Sequence, residues 1–347
     1  MKTVFFETEK WECDVLQRLC RDHDVVLAEE ELNATTVQFY KDADVISPFV
    51  HSTLNRNVLE QFEQLKYIAT RSTGFEHIDL EYCNENTIAV SNVPVYDDRT
   101  VAEQVFALLL AISHNIPEAI NRTRRGDFSQ EGLYGFDLEG KTLGVIGLGN
   151  IGRRVVEIAQ GFSMKVLAFD TKTDAIFAEQ HAMHYVDMNT LLEQSDCITL
   201  HVPGGKSTDH LLLDIEFSRM EKGVVLINTA RGTVVNVKAL LRALAEGKVA
   251  AAGLDVLPDE PSIGEEAEIL RSFFSKKHDL ETLLADHILL HMRSVIITPH
   301  SAFDTTEAVE RILYTTIGNI DCFMNGQQRN LVNSVRHPKK QSFVGTD

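Results

Sequence analysis

The chain has 347 residues, enough for two domains with their own cores. Its 33 Lys and Arg stand against 51 Asp and Glu, a net charge of −18. This balance argues against a nucleic-acid or anionic-membrane surface as the main role, so an anionic ligand must be captured by local cations.

From the N-terminus, short apolar runs alternate with helical stretches. Thr3–Phe6, Val25–Leu27, Val45–Ser47, Tyr67–Thr70 and Ile88–Ser91 read as strands, and Trp11–Arg21 and Leu54–Gln64 as helices between them. The alternation predicts a parallel sheet covered on both faces, with Phe49, Thr73 and Gly74 near strand ends, where such sheets place ligands. Val101–Ile116 reads as a long apolar helix leading into a second unit with the same rhythm. Its strands are Thr142–Ile146, Lys165–Phe169, Cys197–Val202, Val224–Asn228, Ala251–Asp255 and Val295–Thr298, with helices at Arg153–Phe162, Leu191–Gln194 and Val237–Glu246. The connection 262–294 is too long for a bare loop, and Glu265–Phe274 and Leu280–Met292 have helical character. Thr305–Phe323 reads as a helix returning to the first unit, and the polar tail after residue 335 as mobile. The expected division is 1–100 with 304–335, and 101–303, with functional groups facing a cleft between the two units.

No basic n-region followed by an apolar run opens the chain, and Val105–Ile112 is too short to span a bilayer, so neither a signal peptide nor a membrane helix is expected. Cys13, Cys20, Cys83, Cys197 and Cys322 form no CxxC pair, and an odd count speaks against a disulfide framework. A cytoplasmic location is the simplest reading.

Gly147-Leu148-Gly149-Asn150-Ile151-Gly152 follows a strand and opens a helix. In this context the glycines allow a tight turn, close approach of a pyrophosphate and helix–sheet packing, and the helix N-terminus offers free N–H donors to phosphate. Asp170, at the end of the next strand, suits the adenosine ribose hydroxyls and repels a 2′-phosphate, favouring NAD over NADP; Lys172 is a nearby cation acting the other way. Arg231 lies in the loop after a strand, where a guanidinium can hold a carboxylate bidentately and polarise the adjacent carbonyl; elsewhere it would read as a surface arginine. His300, beside Pro299 at another strand end, can exchange a proton with a carbonyl or hydroxyl oxygen near neutral pH, with Glu260 the candidate partner. Asp255 is placed either to accept a hydrogen bond from the nicotinamide side or to cap a turn. His287 and His291 have a metal-compatible i, i+4 spacing but no accompanying ligand set, so they read as a solvated helix face and no metal is expected.

These segments, together with His201-Val202-Pro203, Asn228–Gly232, Gly253–Val256, Glu260-Pro261 and Thr298–His300, resemble the D-isomer-specific 2-hydroxyacid dehydrogenases from about Leu65 to Asn333. The resemblance implies a Rossmann-type cofactor domain and a flavodoxin-like substrate domain, both doubly wound parallel α/β sheets. It implies NAD contacts from Gly147, Gly149, Asn150, Ile151, Gly152, Asp170, Val202, Pro203, Thr208, Thr229, Ala230 and Asp255. Arg231 would be the substrate arginine, with His300 as acid/base and Glu260 as its partner. Arg71–Gly74 looks like the substrate-carboxylate loop, so Thr73, Gly74 and Tyr96 would contact substrate. A homodimer formed through the cofactor domains is also implied. The long 262–294 connection and Tyr96 look most like D-lactate dehydrogenases, which makes pyruvate the favoured substrate. Glyoxylate or hydroxypyruvate reduction is the alternative, and a dinucleotide-sensing transcriptional corepressor a more distant one. Formate dehydrogenase is disfavoured by Glu260, and phosphoglycerate dehydrogenase by the chain length. Gln104, where relatives often have histidine, and Gly204-Gly205, which predicts a flexible loop, depart from the pattern.

Overall fold

A computed structural model describes residues 1–19, 24–94, 98–258 and 280–333. Tyr96, Glu260, the expected helix Glu265–Phe274 and the C-terminal tail lie outside the described residues. The chain divides into two compact units, Met1–Tyr96 with Thr305–Asp347, and Asp97–Asp304.

The first unit holds strands β1 (Lys2–Phe5), β2 (Asp24–Leu27), β3 (Val45–Ser47), β4 (Tyr67–Ala69) and β5 (Ala89–Ser91), all parallel, in the order β2-β1-β3-β4-β5. This is the flavodoxin-like order, which reverses direction between β1 and β3. Side chains alternate across it. Val4, Ile46, Ile68 and Val90 join Val58, Leu59 and Cys83 on one face. Phe5, Val45, Tyr67 and Ala89 pack on the other against Leu313, Ile317, Ile320 and Phe323 of helix Thr306–Met324. Both faces are thus buried, as a parallel sheet requires. The expected helix Leu54–Gln64 shrinks to Arg56–Leu59. Past it, Gln61 and Phe62 make tighter i−3 bonds and the Glu63 N–H leaves for the Lys41 carbonyl, 2.9 Å away, so tertiary pairing ends the helix early.

The second unit holds β6 (Thr142–Ile146), β7 (Lys165–Phe169), β8 (His184–Tyr185), β9 (Cys197–Leu200), β10 (Val224–Asn228), β11 (Val249–Leu254) and β12 (Val295–Ile297). They form one parallel sheet in the order β12-β11-β10-β9-β6-β7-β8. This is a doubly wound Rossmann order extended by one strand, with its reversal between β6 and β9. The expected helix Val101–Ile116 is instead Asp98–Ser113, followed by Ile116–Arg124. The break falls at Asn115, whose φ is 51°, and Pro117 fits the start of the next helix. The two-residue β8 and the short helices Ala175–Gln180 and Asp214–Arg219 carry too little periodicity to be read from sequence.

Candidate active site

Because every strand of the second sheet runs the same way, the loops that follow the strands lie along one edge. From β12 towards β7 they carry His300, Asp255, Thr229–Arg231, Val202–Pro203, Gly147–Gly152 and Asp170. Neighbouring strands lie about 4.8 Å apart, so Asp170 and Arg231, three strand steps apart in this order, stand about 14 Å apart along the edge.

The three loop glycines have different physical reasons. Gly147 has φ +94°, and a Cβ there would sit 2.7 Å from the His201 carbonyl carbon, across the β6/β9 reversal. A Cβ on Gly152 would lie 2.2 Å from the Gly147 carbonyl oxygen. Gly149, the N-cap of helix Asn150–Gly161, has no atom within 4 Å of such a Cβ. That open space lies beside the first-turn N–H groups, which have no intrahelical acceptor. Asp170 closes the loop from below. Its Oδ2 accepts from the Leu148 N–H at 2.6 Å and its Oδ1 from the Lys172 N–H at 2.8 Å. Burial pushes this carboxyl up, but the N–H donors of Lys172 and Leu148 outweigh burial and hold it below the ordinary aspartate value. The Thr229 hydroxyl is buried with no protein partner among the described residues. A dinucleotide fits this donor-rich, open-edged loop, and the orphaned hydroxyl offers it one more polar contact.

Arg231 follows β10. Its Nη1 donates to the Ala230 carbonyl at 2.7 Å, and among the described residues no carboxylate pairs with it. Asn228 fixes the turn by accepting from the Ala230 N–H at 3.0 Å and donating to the Arg231 carbonyl at 3.1 Å. Gly204, expected to make its loop flexible, has a packing reason: a Cβ there would lie 3.1 Å from Arg231 Cγ, so its absence makes room for the arginine stem. Thr208 closes the same loop by donating to the Pro203 carbonyl at 2.5 Å.

His300 is exposed, has φ +52°, and its ring meets Phe303 edge-on at 6.4 Å. A non-glycine residue in this conformation is strained unless its surroundings over-determine it. Asp255 does so. Its carbonyl accepts the His300 N–H at 2.9 Å, and its carboxylate accepts the N–H groups of Ser301 and Ala302, at 3.1 and 2.9 Å, and the Thr298 hydroxyl. Gln104 in turn donates to the Thr298 hydroxyl at 3.3 Å. Burial pushes the Asp255 carboxyl above its ordinary range, against the Thr298 hydroxyl and the Ala302 N–H. The carboxylate therefore organises the turn that carries His300. Sequence reasoning missed the Gln104–Thr298 support, which is 194 residues apart and leaves no local pattern.

In the first unit, Ser72–Gly74 follows β4. Its acceptors are satisfied from within: the Ser72 carbonyl by the Val93 N–H at 3.0 Å, the Thr73 carbonyl by Asn92 Nδ2 at 2.8 Å, and the Gly74 carbonyl by the Ser72 hydroxyl at 2.6 Å. The N–H groups of Ser72, Thr73 and Gly74 have no protein acceptor among the described residues. A loop with engaged acceptors and unengaged donors is suited to an anion.

The His287 and His291 rings lie 4.7 Å apart and tilted by 46°, with His291 Nδ1 bonded to the His287 carbonyl at 2.9 Å. No group of three or more metal-ligating side chains is present among the described residues, and none of their helices is long and apolar enough to cross a membrane.

Comparison with known proteins agrees with this arrangement. Residues 106–302 match the family model for the NAD-binding domain of the D-isomer-specific 2-hydroxyacid dehydrogenases. The chain is 33% identical to a D-lactate dehydrogenase of Escherichia coli over 334 residues, covering 94% of this chain and 98% of that one. It is 35% identical to a glyoxylate reductase of Thermococcus litoralis over 301 residues, 84% of each. Among solved structures, the D-lactate dehydrogenase of Aquifex aeolicus in complex with NAD and lactic acid superposes with a TM-score of 0.82 at 35% identity, over 96% of this chain and 99% of that one. The chain belongs to the D-isomer-specific 2-hydroxyacid dehydrogenase family and is an NAD-dependent oxidoreductase.

Proposed function

We propose that the protein reduces a small 2-oxoacid, pyruvate before others, to the D-2-hydroxyacid, and runs the reverse reaction. The observation that carries this reading is an arginine at the end of β10 with no carboxylate partner among the described residues, on the same sheet edge as a histidine held in a strained turn after β12. Arg231 holds the substrate's 2-oxo carboxylate group bidentately and polarises the C2 carbonyl. His300 donates a proton to the C2 oxygen in reduction and removes it in oxidation. Bound NADH supplies the hydride. Glu260 is assigned as the partner of His300, and Tyr96 as a substrate contact, on the resemblance alone. Val202, Pro203, Thr208, Thr229, Ala230, Asn150 and Ile151 are proposed to line the cofactor, and Thr73 and Gly74 to receive a carboxylate through their N–H groups. The division of labour, substrate binding in the first unit and dinucleotide binding in the second, belongs to the same proposal.

Preference for pyruvate is supported by the Escherichia coli and Aquifex aeolicus relatives, and the glyoxylate reductase at 35% identity supports the second reading. A panel of pyruvate, glyoxylate and hydroxypyruvate assayed with NADH separates them. D-lactate should form from pyruvate; predominant L-lactate would refute the stereochemical reading, and rapid turnover of glyoxylate or hydroxypyruvate without pyruvate would move the substrate to the second. We further propose a homodimer through the second unit, which exposes Phe128 (79%) and Tyr134 (97%) along with Ile116 and Ile120. Sedimentation of the parent and of Tyr134→Glu tests it. The cytoplasm is the proposed location, because Cys13, Cys83, Cys197 and Cys322 are free thiols.

A further inference from the structure

The first unit buries a cation to which the proposed chemistry gives no role. Arg71 follows β4 and is 2% exposed. Its Nη1 donates to both carboxylate oxygens of Glu12, at 3.0 and 3.2 Å. Its Nη2 donates to the carbonyls of Phe6 and, at 3.0 Å, Glu7. The Phe49 ring covers the guanidinium at 5.5 Å, and Nε has no partner among the described residues. The main-chain N–H of Arg71 donates to the Pro48 carbonyl at 2.9 Å.

These bonds have a topological meaning. Phe6 and Glu7 continue β1, and Pro48 continues β3, so Arg71 ties together the two strand ends between which the sheet order reverses. In open sheets of this order that gap is the usual ligand crevice. Here the protein's own groups fill it. The Glu7 carboxylate accepts the N–H groups of Phe49, His51 and Ser52, at 3.1, 2.9 and 3.0 Å, as well as the Ser52 hydroxyl. Arg71 is turned into this plug and paired with Glu12, so it does not offer its charge to an anion. What remains open beyond it is the Ser72–Gly74 backbone, whose N–H groups have no acceptor among the described residues.

We infer that Arg71 and Glu12 are positioning residues that hold the Ser72–Gly74 backbone in the orientation that receives the substrate carboxylate; this rests on the proposed role of that loop. The loop begins one residue after a main chain clamped on β3 and a side chain clamped on β1 and on helix Lys10–Leu19. A lysine cannot make the same set of bonds. Its ammonium is a point charge, while the guanidinium fork spans a carboxylate and two carbonyls at once. Loosening the clamp moves the donors away from the carboxylate and leaves proton and hydride transfer to groups on the second unit.

The test uses Arg71→Lys and the double variant Arg71→Met/Glu12→Leu in the holoenzyme. The double variant removes both charges of the buried pair, a replacement that often preserves stability. The parent is first assayed on the three 2-oxoacids with NADH. Then kcat, KM, the NADH Kd and the Kd of oxamate, an unreactive 2-oxoacid mimic, are measured for the variants. The expected result is a rise of about tenfold in KM and in oxamate Kd, the scale of one weakened charge-assisted hydrogen bond, with kcat within about twofold and NADH binding unchanged. Unchanged KM and oxamate Kd in either folded variant overturns the inference. So does a fall in kcat alone, an equal loss of NADH binding, or failure of both variants to fold, which would make the pair a core element only. A parent that turns over none of the 2-oxoacids would instead defeat the proposed function.

Discussion

Gly149→Ala separates cofactor binding from folding. The residue has φ −73° and ψ −159°, which alanine adopts without strain, and its Cβ would meet no atom within 4 Å. Alanine is a poorer N-cap than glycine by up to about 1 kcal/mol, while the unfolded chain loses entropy worth about 0.4–1 kcal/mol in the opposite direction. The two nearly cancel, so the melting temperature should stay close to the parent's. In the complex the methyl occupies the space beside the first-turn N–H groups. Displacing one charge-assisted hydrogen bond to phosphate is worth about 1.5–3 kcal/mol, or roughly 10- to 150-fold in Kd. Gly152→Ala is the contrasting control, because its Cβ would fall 2.2 Å from a backbone oxygen that cannot step aside. That overpacking costs about 1–3 kcal/mol or more and should lower the melting temperature. The assay is NADH titration by fluorescence beside thermal unfolding. If Gly149→Ala binds NADH as tightly as the parent, or melts as early as Gly152→Ala, the reading of the loop is wrong.

Arg231→Lys should lower kcat/KM for the 2-oxoacid by about 3 kcal/mol, on the order of 150-fold, and leave the NADH Kd unaltered; near-parental turnover would remove Arg231 from the substrate site. Thr298→Val takes one donor from the Asp255 carboxylate and frees the His300 turn, so kcat should fall about tenfold and recover in Thr298→Ser, with equal rates in all three proteins as the contrary result. Asp170→Asn should destabilise the protein at neutral pH. The native carboxyl is held low, so its contribution is fully present above the ordinary value of 3.8 and is lost only as pH falls through the lowered native value. Chemical denaturation of parent and variant across that range should show the gap closing on the acid side and constant above it. Asp170→Ala should narrow the preference for NADH over NADPH, and equal use of both by the parent would show that Lys172 overrides the carboxylate.

Much of this protein is legible along the chain, because the signals are local. A glycine loop between a strand and a helix, an acid at the next strand end, and short, almost wholly apolar runs mark most strands of the second sheet, and β6, β7 and β10 fall at the bounds expected from sequence. Helix ends were harder to read, since the end of Arg56–Leu59 and the break at Asn115 depend on where carbonyls from distant segments or a left-handed residue intervene. Tertiary structure alone decided which charges are available. Arg71 and Arg231 both follow strands and are alike in sequence, yet one is buried against Glu12, 59 residues away, while the other has no carboxylate partner among the described residues. It also decided that Asp255 holds the His300 turn, through contacts 43 to 47 residues distant. Propensity and spacing act over a few residues and so are written in the sequence; burial and pairing depend on which strand ends the sheet order makes neighbours, and that order exists only once the chain is folded.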